Sequence, residues 1–417
     1  MIKTLLIGPL FSRSGYGEHA RFVFNSLASQ PGKFDLYAHP IHWGHSSWMS
    51  SESKDVSKYE HACVKKETYS GEYDLIVQVT IPTEWDLYCQ EFKAKCVIGV
   101  TAAVETDVAP NNWIQPCDNV DHIIFTSKHS QSSLVNKIYE ERNPSTGETI
   151  KTKGIATSSE VIGYPVKDVE PADLSKNLVL DTDFNFLSIT QVAPRKDLDT
   201  LVTSFIEEFK NENVGLVLKA HHANNSEYDR HMLMNGYFGK IKNIEKKCKI
   251  YWIHGAMTES EIHGLYTHPN IHSYITTTHG EGFGLPMFEA AYSGMPVIAP
   301  GWSGHLDFLR IPKGKKTESL YERIRCEIKN VEEKSQMEGI ILPYMKWAYS
   351  DPQSVRKCMR NMVDNTKVKK RTADRLKTYL HETFSIDKQY EKIYSTCERV
   401  YKEKSEWIKE TNAVTIV

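Results

Sequence analysis

The stretch from Ile271 to Pro300, IHSYITTTHGEGFGLPMFEAAYSGMPVIAP, constrains this chain more than any other. Ile271 to Thr278 is a β-rich run and HGEGFG a glycine-dense turn. PMFEAAYS is a short helix with Pro286 near its start, and Gly294-Met295-Pro296 stops it before Val297-Ile298-Ala299. Strand, loop, helix and strand in that order are the unit of a parallel α/β sheet. The turn brings the amides of Gly282, Phe283, Gly284 and Leu285 to a helix N-terminus, where the first N–H groups and the helix dipole favour an anion such as phosphate. Glu281 precedes the turn and Glu289 lies on the first turns of the helix. Carboxylates are poor phosphate ligands, but each can accept two hydrogen bonds from a vicinal diol. A phosphate beside a diol is the chemistry of a nucleotide sugar. The same residues also read as a glycine-rich turn with two surface glutamates, and the loop alone leaves both readings open.

The pattern recurs along the chain. Lys3 to Ile7 is a buried-strand pattern, GPLFSRSGYGE a loop holding Gly15 and Gly17, and HARFVFNSLAS has helical apolar spacing. The two glycines therefore fall at a strand's carboxyl end, where open α/β sheets bind ligands, although many such turns hold none. Phe34 to Ala38, Leu75 to Val79, Cys96 to Val100 and His122 to Thr126 read as further strands. Glu105, Thr106 and Asp107 follow the fourth of these five, either as a functional cluster or as helix caps. A polar, turn-rich stretch runs from Asn143 to Thr157, and a boundary is expected near Val166 to Lys176.

A second series then begins with strand Phe184 to Thr190, loop QVAPRKD, helix Leu198 to Phe209, strands Val214 to Lys219 and Ile250 to His254, and helix Thr258 to Thr267. Arg195 and Lys196 lie in the loop after its first strand, on the edge that carries HGEGFG if the strands are parallel. Two cations there could neutralise a diphosphate, or they form a solvated pair before a helix. Arg310 to Lys346 is charged and insertion-like, expected to be exposed and partly helical. Asp351 to Leu380 and Ser385 to Lys402 read as helices.

Length and composition bound the partners. A chain of 417 residues is too long for one ordinary core, and 40% hydrophobic with 25% charged residues is the balance of a globular protein. A formal charge of -2 gives no global attraction to nucleic acid or acidic membranes. The 8 cysteines are scattered without a CxxC pair, no HExxH spacing occurs, and Asp181-Thr182-Asp183 reads as a solvated turn, so no metal site is expected. Thiols of this kind suit a cytoplasmic location. MIKTLLIGPL reads as a first strand rather than a signal peptide, and no apolar run approaches the roughly 20 residues of a membrane span.

HGEGFGLPMFEAAYSGMPVIAPGWSGHLDFL and ITQVAPRKDLDTLVTSF, together with SGYGEHAR and ETDVAPNNW, resemble the retaining glycosyltransferases of family 4, the match being strongest from Phe184 to Leu309. The resemblance implies a GT-B fold: two Rossmann-like doubly wound parallel-sheet domains facing a central cleft. Residues 1–168 would form an acceptor-binding domain, 169–384 a nucleotide-sugar-binding domain, and 385–417 a helix crossing back to the first. It implies a nucleoside diphosphate sugar, UDP- or GDP-linked, as donor substrate, with no cofactor or metal required. Glu289 would bind the ribose, Glu281 the donor sugar, and Gly282, Phe283, Gly284 and Leu285 the sugar and phosphate. Arg195 and Lys196 would hold the diphosphate, which Gly15 and Gly17 would face from the first domain.

Two departures stand out. The family's Gly-Arg before the phosphate lysine is here Thr190-Gln191, which moves the arginine role to Arg195. A histidine usual after the last N-terminal strands is missing from VTAAVETD, which leaves Glu105 as the group for the anomeric carbon. The acceptor stays open among a glycan, a lipid-linked glycan, a small metabolite and a modified nucleic-acid base, as does the oligomeric state. The alternative of another class is a non-catalytic nucleotide-sugar-binding protein.

Overall fold

The computed structural model describes residues 1–44, 46–49, 56–135, 137–142, 149–223, 225–242 and 244–413. The chain divides into two compact units. One comprises 1–165, 336–345 and 386–417, and the other 166–335 and 346–385.

In the first unit, strands β1 (Ile2–Gly8), β2 (Phe34–Pro40), β3 (Tyr73–Val79), β4 (Ala94–Thr101), β5 (His122–Phe125) and β8 (Ser159–Val161) make one sheet in the order β2-β1-β3-β4-β5-β8. Every pairing in it is parallel. Strands β6 (Ile138–Arg142) and β7 (Thr149–Lys153) form a separate antiparallel hairpin. Residues 143–148 of the expected polar stretch lie outside the described residues. The middle strands are apolar on both faces because helices cover both faces of a parallel sheet, and Leu5, Ile7, Ile76, Ile98 and Ile123 are fully buried. Gly99 is set by packing: a Cβ there would come within 2.3 Å of the Trp85 indole, which is itself fully buried.

The C-terminal helix Ile386–Ala413 belongs to this unit. It buries Ile393, Cys397 and Val400. Ser26 Oγ donates to the Tyr390 carbonyl at 2.7 Å, and Arg399 pairs with Glu160 at 2.9 Å. The helix thus returns to the first sheet after the chain has built the second, and it runs well beyond Lys402.

In the second unit, β9 (Phe184–Gln191), β10 (Val214–His221), β11 (Lys249–Ile253), β12 (Ser273–Ile275), β13 (Val297–Pro300) and β16 (Glu322–Ile324) form a parallel sheet in the order β11-β10-β9-β12-β13-β16. Its core gathers Phe186, Phe205, Phe209, Leu216, Leu218, Ile275, Ile298 and Met359. The chain runs outward from β9 through β10 to β11, then returns to place β12 on the other side of β9. The gap between β9 and β12 is therefore a topological switch point, where the loops leaving the strands diverge and open a crevice.

The expected partial helix in 310–346 does not form. The regular structure in 310–346 is short β-ribbons instead: β14 (Arg310–Lys313) and β15 (Lys316–Ser319) pair antiparallel, as do β17 (Cys326–Asn330) and β18 (Lys346–Ser350), with one short 3-10 turn at Glu333–Ser335. Gly314, at φ +60°, lies between the paired Lys313 and Lys316. The lysines and glutamates that looked helical sit on exposed ribbon edges, where charge also blocks edge-to-edge pairing. Asp351 to Leu380 is two helices, Pro352–Asp364 and Thr366–Thr383, separated at Asn365.

Gly99→Ala is expected to lower stability by about 1–3 kcal/mol through overpacking against Trp85, read as a reduced melting midpoint of the first unit.

Candidate functional site

Strand β9 ends at Gln191 and leads into the turn Pro194–Lys196, which places Arg195 and Lys196 at the switch point. Asp197 follows in the left-handed region at φ 47° and caps the helix Leu198–Phe209, its carboxylate accepting from the Thr200 amide at 3.4 Å. On the other side of the crevice β12 ends at Ile275, and the residues from Thr276 to Gly284 are all buried. Two hydrogen bonds stitch loop to turn: His279 N donates to Arg195 O at 2.7 Å, and Arg195 Nη1 to Gly280 O at 2.6 Å.

Glu281 sits at that seam. Its carboxylate takes Lys196 Nζ at 2.5 Å and Arg195 Nη1 at 3.3 Å. Burial pushes the carboxyl pKa up, but the charges of Lys196 and then Arg195 outweigh it, with hydrogen bonds from Lys196 and Thr278, and hold the group at about 2. A third loop supports the turn from below, as Glu281 N donates to Ser303 Oγ at 3.0 Å and Gly304 N to Glu281 O at 2.9 Å. Gly304 must be glycine, because a Cβ would lie 2.0 Å from the Gly282 carbonyl oxygen. His305, fully buried beneath, is held by its Nε2 donating to Pro300 O at 2.8 Å. Ser303, Gly304 and His305 stand in the sequence as PGWSGHLDF after a buried strand, a pattern that signals a second ligand-edge turn.

Gly284 caps the helix Leu285–Tyr292 at φ +100°, with Pro286 inside its first turn. Half-buried Glu289 accepts from the Tyr266 hydroxyl at 3.0 Å, so a tyrosine from the helix Glu259–Thr267 fixes the second glutamate. The glutamates have separate partners, yet both act on one group: buried Tyr274, whose hydroxyl pKa is driven up by burial first and then by Glu281 and Glu289.

The first unit has its own crevice, since β1 is flanked by β2 and β3. After β1, Ser14 caps the helix Gly15–Ala28 by accepting from Gly17 N at 3.1 Å. Gly17 is required by contact, its Cβ position lying 2.0 Å from Ser12 O, whereas the Cβ position at Gly15 has no heavy atom within 4 Å. Buried Arg21 donates to the carbonyls of Leu10 and Ser12 at 2.7 and 2.8 Å and fixes the loop. Tyr16 OH meets Thr101 Oγ1 at 2.9 Å and accepts from Ala102 N at 3.2 Å, tying this loop to the end of β4. Half-buried Glu105 follows Ala103, which is left-handed at φ 53°. Burial drives the Tyr16 pKa upward, and Glu105 and Glu84 add to it.

Geometry therefore unites Arg195, Lys196 and Glu281, sets Glu289 on the following helix, and places Gly15, Gly17 and Glu105 on the carboxyl edge of the other sheet. The lone histidines behave as packing residues: His254 pairs with Asp229 at 3.0 Å and His272 Nδ1 accepts from Asn185 N at 3.1 Å. Asp181 engages Lys249 and Tyr251 in an exposed cluster. Among the described residues, no three His, Cys, Asp or Glu side chains come together to hold a metal ion, and no helix is long and apolar enough to cross a membrane.

No protein-family model and no curated protein matches the chain. Solved structures do. Sucrose-phosphate synthase from Thermosynechococcus elongatus is similar over 97% of this chain and 100% of its own, with a TM-score of 0.64 at 14% identity. HepE from Anabaena, in complex with UDP-glucose, is similar over 96% and 100%, with a TM-score of 0.58 at 12% identity. A trehalose-6-phosphate synthase studied with bisubstrate glycomimetics for transfer with retention is similar over 95% and 99%, with a TM-score of 0.56 at 10% identity.

The fold is GT-B.

In this GT-B chain the charge at the switch point couples stability to pH. The Glu281 pKa is lowered from 4.5 to about 2, so its contribution is complete above pH 4.5 and lost as pH falls through 2. The shift corresponds to roughly 3 kcal/mol at neutral pH. Melting of wild type is expected to fall more steeply between pH 4.5 and 2 than that of Glu281→Gln, and equal slopes would refute the pairing.

Proposed function

We propose that the chain is a retaining glycosyltransferase that moves a sugar from a nucleoside diphosphate sugar, UDP- or GDP-linked, to an acceptor hydroxyl without a required metal. The observation that carries this reading is the buried Glu281 carboxylate held between Lys196 and Arg195 at the switch point of the second sheet. The structural likeness to HepE in complex with UDP-glucose supports it and makes a UDP sugar the first donor to test.

In this reading the second unit binds the donor and the first the acceptor. Glu289, pre-oriented by Tyr266, takes the ribose diol, and Glu281 takes hydroxyls of the transferred sugar. The turn Gly282-Phe283-Gly284-Leu285 lies along sugar and phosphate, and Gly15 and Gly17 present backbone to the same phosphate. Breaking the anomeric C–O bond leaves its electron pair on the diphosphate. Lys196 and Arg195 stabilise that charge, the work a metal does in other transferases. The acceptor oxygen attacks the same face and passes its proton to the departing phosphate oxygen, which gives retention. Glu105 stands for the family histidine beside the positive charge developing at the anomeric carbon. Most of the rate then comes from placement and electrostatics.

Lys196→Ala and Glu289→Ala are each expected to abolish sugar transfer and donor hydrolysis while circular dichroism shows a folded chain. Full turnover in either folded variant would overturn the assignment. Turnover by wild type should survive a metal chelator. A protein that binds a UDP sugar yet releases neither free sugar nor glycosylated product would be a binder instead.

A further inference from the structure

The β17–β18 ribbon stands out in sequence only as charge, and nothing above gives it a task. Its inner strand lies directly on the donor-side turn of the same unit. Ala348 N donates to His279 O at 3.0 Å, and His279 Nδ1 donates back to Ala348 O at 2.8 Å. A carbonyl only accepts, so this bond fixes the imidazole with its proton on Nδ1. The ring packs against two aromatic side chains of the strand, with Trp347 at 5.3 Å and Tyr349 at 4.4 Å from centroid to centroid. Ser350 Oγ reaches the Thr277 carbonyl at 3.5 Å, which extends the contact along the turn.

His279 also faces the cationic loop. Its own amide holds Arg195 O, and its Nδ1 stands 4.0 Å from the Asp197 carboxylate, next in sequence to Lys196. The Asp197 carbonyl in turn accepts from Thr277 Oγ1 at 2.7 Å. One buried side chain thus contacts the ribbon and the loop of Arg195 and Lys196, two residues before Glu281.

From this geometry we propose that His279 is a positioning residue, through which the β17–β18 ribbon sets the register of Glu281 against Arg195 and Lys196 and so tunes recognition of the sugar diphosphate. The inference rests on the glycosyl-transfer reading above. Without the Nδ1–H bond the turn keeps only the Ala348 N–His279 O bond and the long Ser350 Oγ–Thr277 O contact to the ribbon, and displacements well under an ångström at Glu281 change charge-assisted bonds to a donor. The effect falls on the use of donor more than on the fold, because the Glu281 turn is also anchored on Ser303 and Gly304.

Three variants test it, assayed as full-length protein with the donor that wild type turns over. His279→Asn keeps an N–H donor near the Nδ1 position; His279→Gln carries it farther out, near Nε2; His279→Leu removes it. Leu and Gln are expected to lower kcat/KM for donor by on the order of tenfold to a hundredfold, with melting midpoints near that of wild type. Asn should recover to within about threefold of wild type, since it restores the bond. If Leu does not fold, the Asn and Gln comparison still decides. Equal kcat/KM in Asn and Gln, or Leu indistinguishable from wild type, overturns the positioning role. Wild type that turns over no nucleotide sugar overturns the glycosyl-transfer reading itself, a different result.

Discussion

A carboxylate taken out of water must find a partner, and in the second unit Glu281 finds two. An unpaired charge at a position only 8% exposed would cost several kcal/mol, so the loop carrying Arg195 and Lys196 and the turn carrying Glu281 are obliged to meet. They can do so because β9 and β12 are neighbours in the sheet, although 85 residues separate Lys196 from Glu281. The backbone bonds between His279 and Arg195 and between Arg195 and Gly280 keep that meeting in one register. Replacing a whole buried ion pair by apolar side chains is often neutral for stability, whereas removing one partner is costly. What this one supplies is a fixed cluster of one negative and two positive charges at the mouth of the sheet.

Around that cluster the chain spends its conformational exceptions. Asp197 and Ser303 are left-handed without being glycine, Gly284 is left-handed at the start of its helix, and Gly304 allows two backbones to approach where no Cβ fits. The left-handed positions without glycine cost free energy and persist only where their surroundings overdetermine them. Ala103 shows the same feature on the first unit, two residues before Glu105. The strained residues thus collect at the carboxyl edges of both sheets, the edges that carry Arg195, Lys196, Glu281, Gly15, Gly17 and Glu105.

Much of this was legible in the sequence. Alternating buried strands and amphipathic helices identify two parallel sheets, and HGEGFG with its proline and glycine punctuation fixes a ligand-edge turn. The ribbons of 310–330 and 346–350 were not legible, because charged residues on short exposed strands mask the period of two that would reveal them, and lysine and glutamate favour helices. Tyr266 as partner of Glu289 was hidden for another reason: it sits within an ordinary amphipathic helix, and only packing against Leu285–Tyr292 turns its hydroxyl toward a carboxylate.

The sequence by itself determined the local grammar, namely where strands end, where glycine is needed, and which charged residues lie on loops. Those depend on hydrophobic period and on the backbone limits of single residues, and both are local. Tertiary structure alone decided which charges meet, since strand order is a long-range outcome of packing. It placed β12 beside β9, set Tyr266 against Glu289, laid Ala348 on His279, and returned Ile386–Ala413 to the first unit. Residues 336–345 show the division best. Their sequence, QMEGIILPYM, is a mostly apolar run inside a charged stretch, and only the fold shows that it packs in the first unit, where Ile340 and Ile341 join the core around Trp113 and Met345 Sδ lies 3.7 Å from the Thr106 hydroxyl.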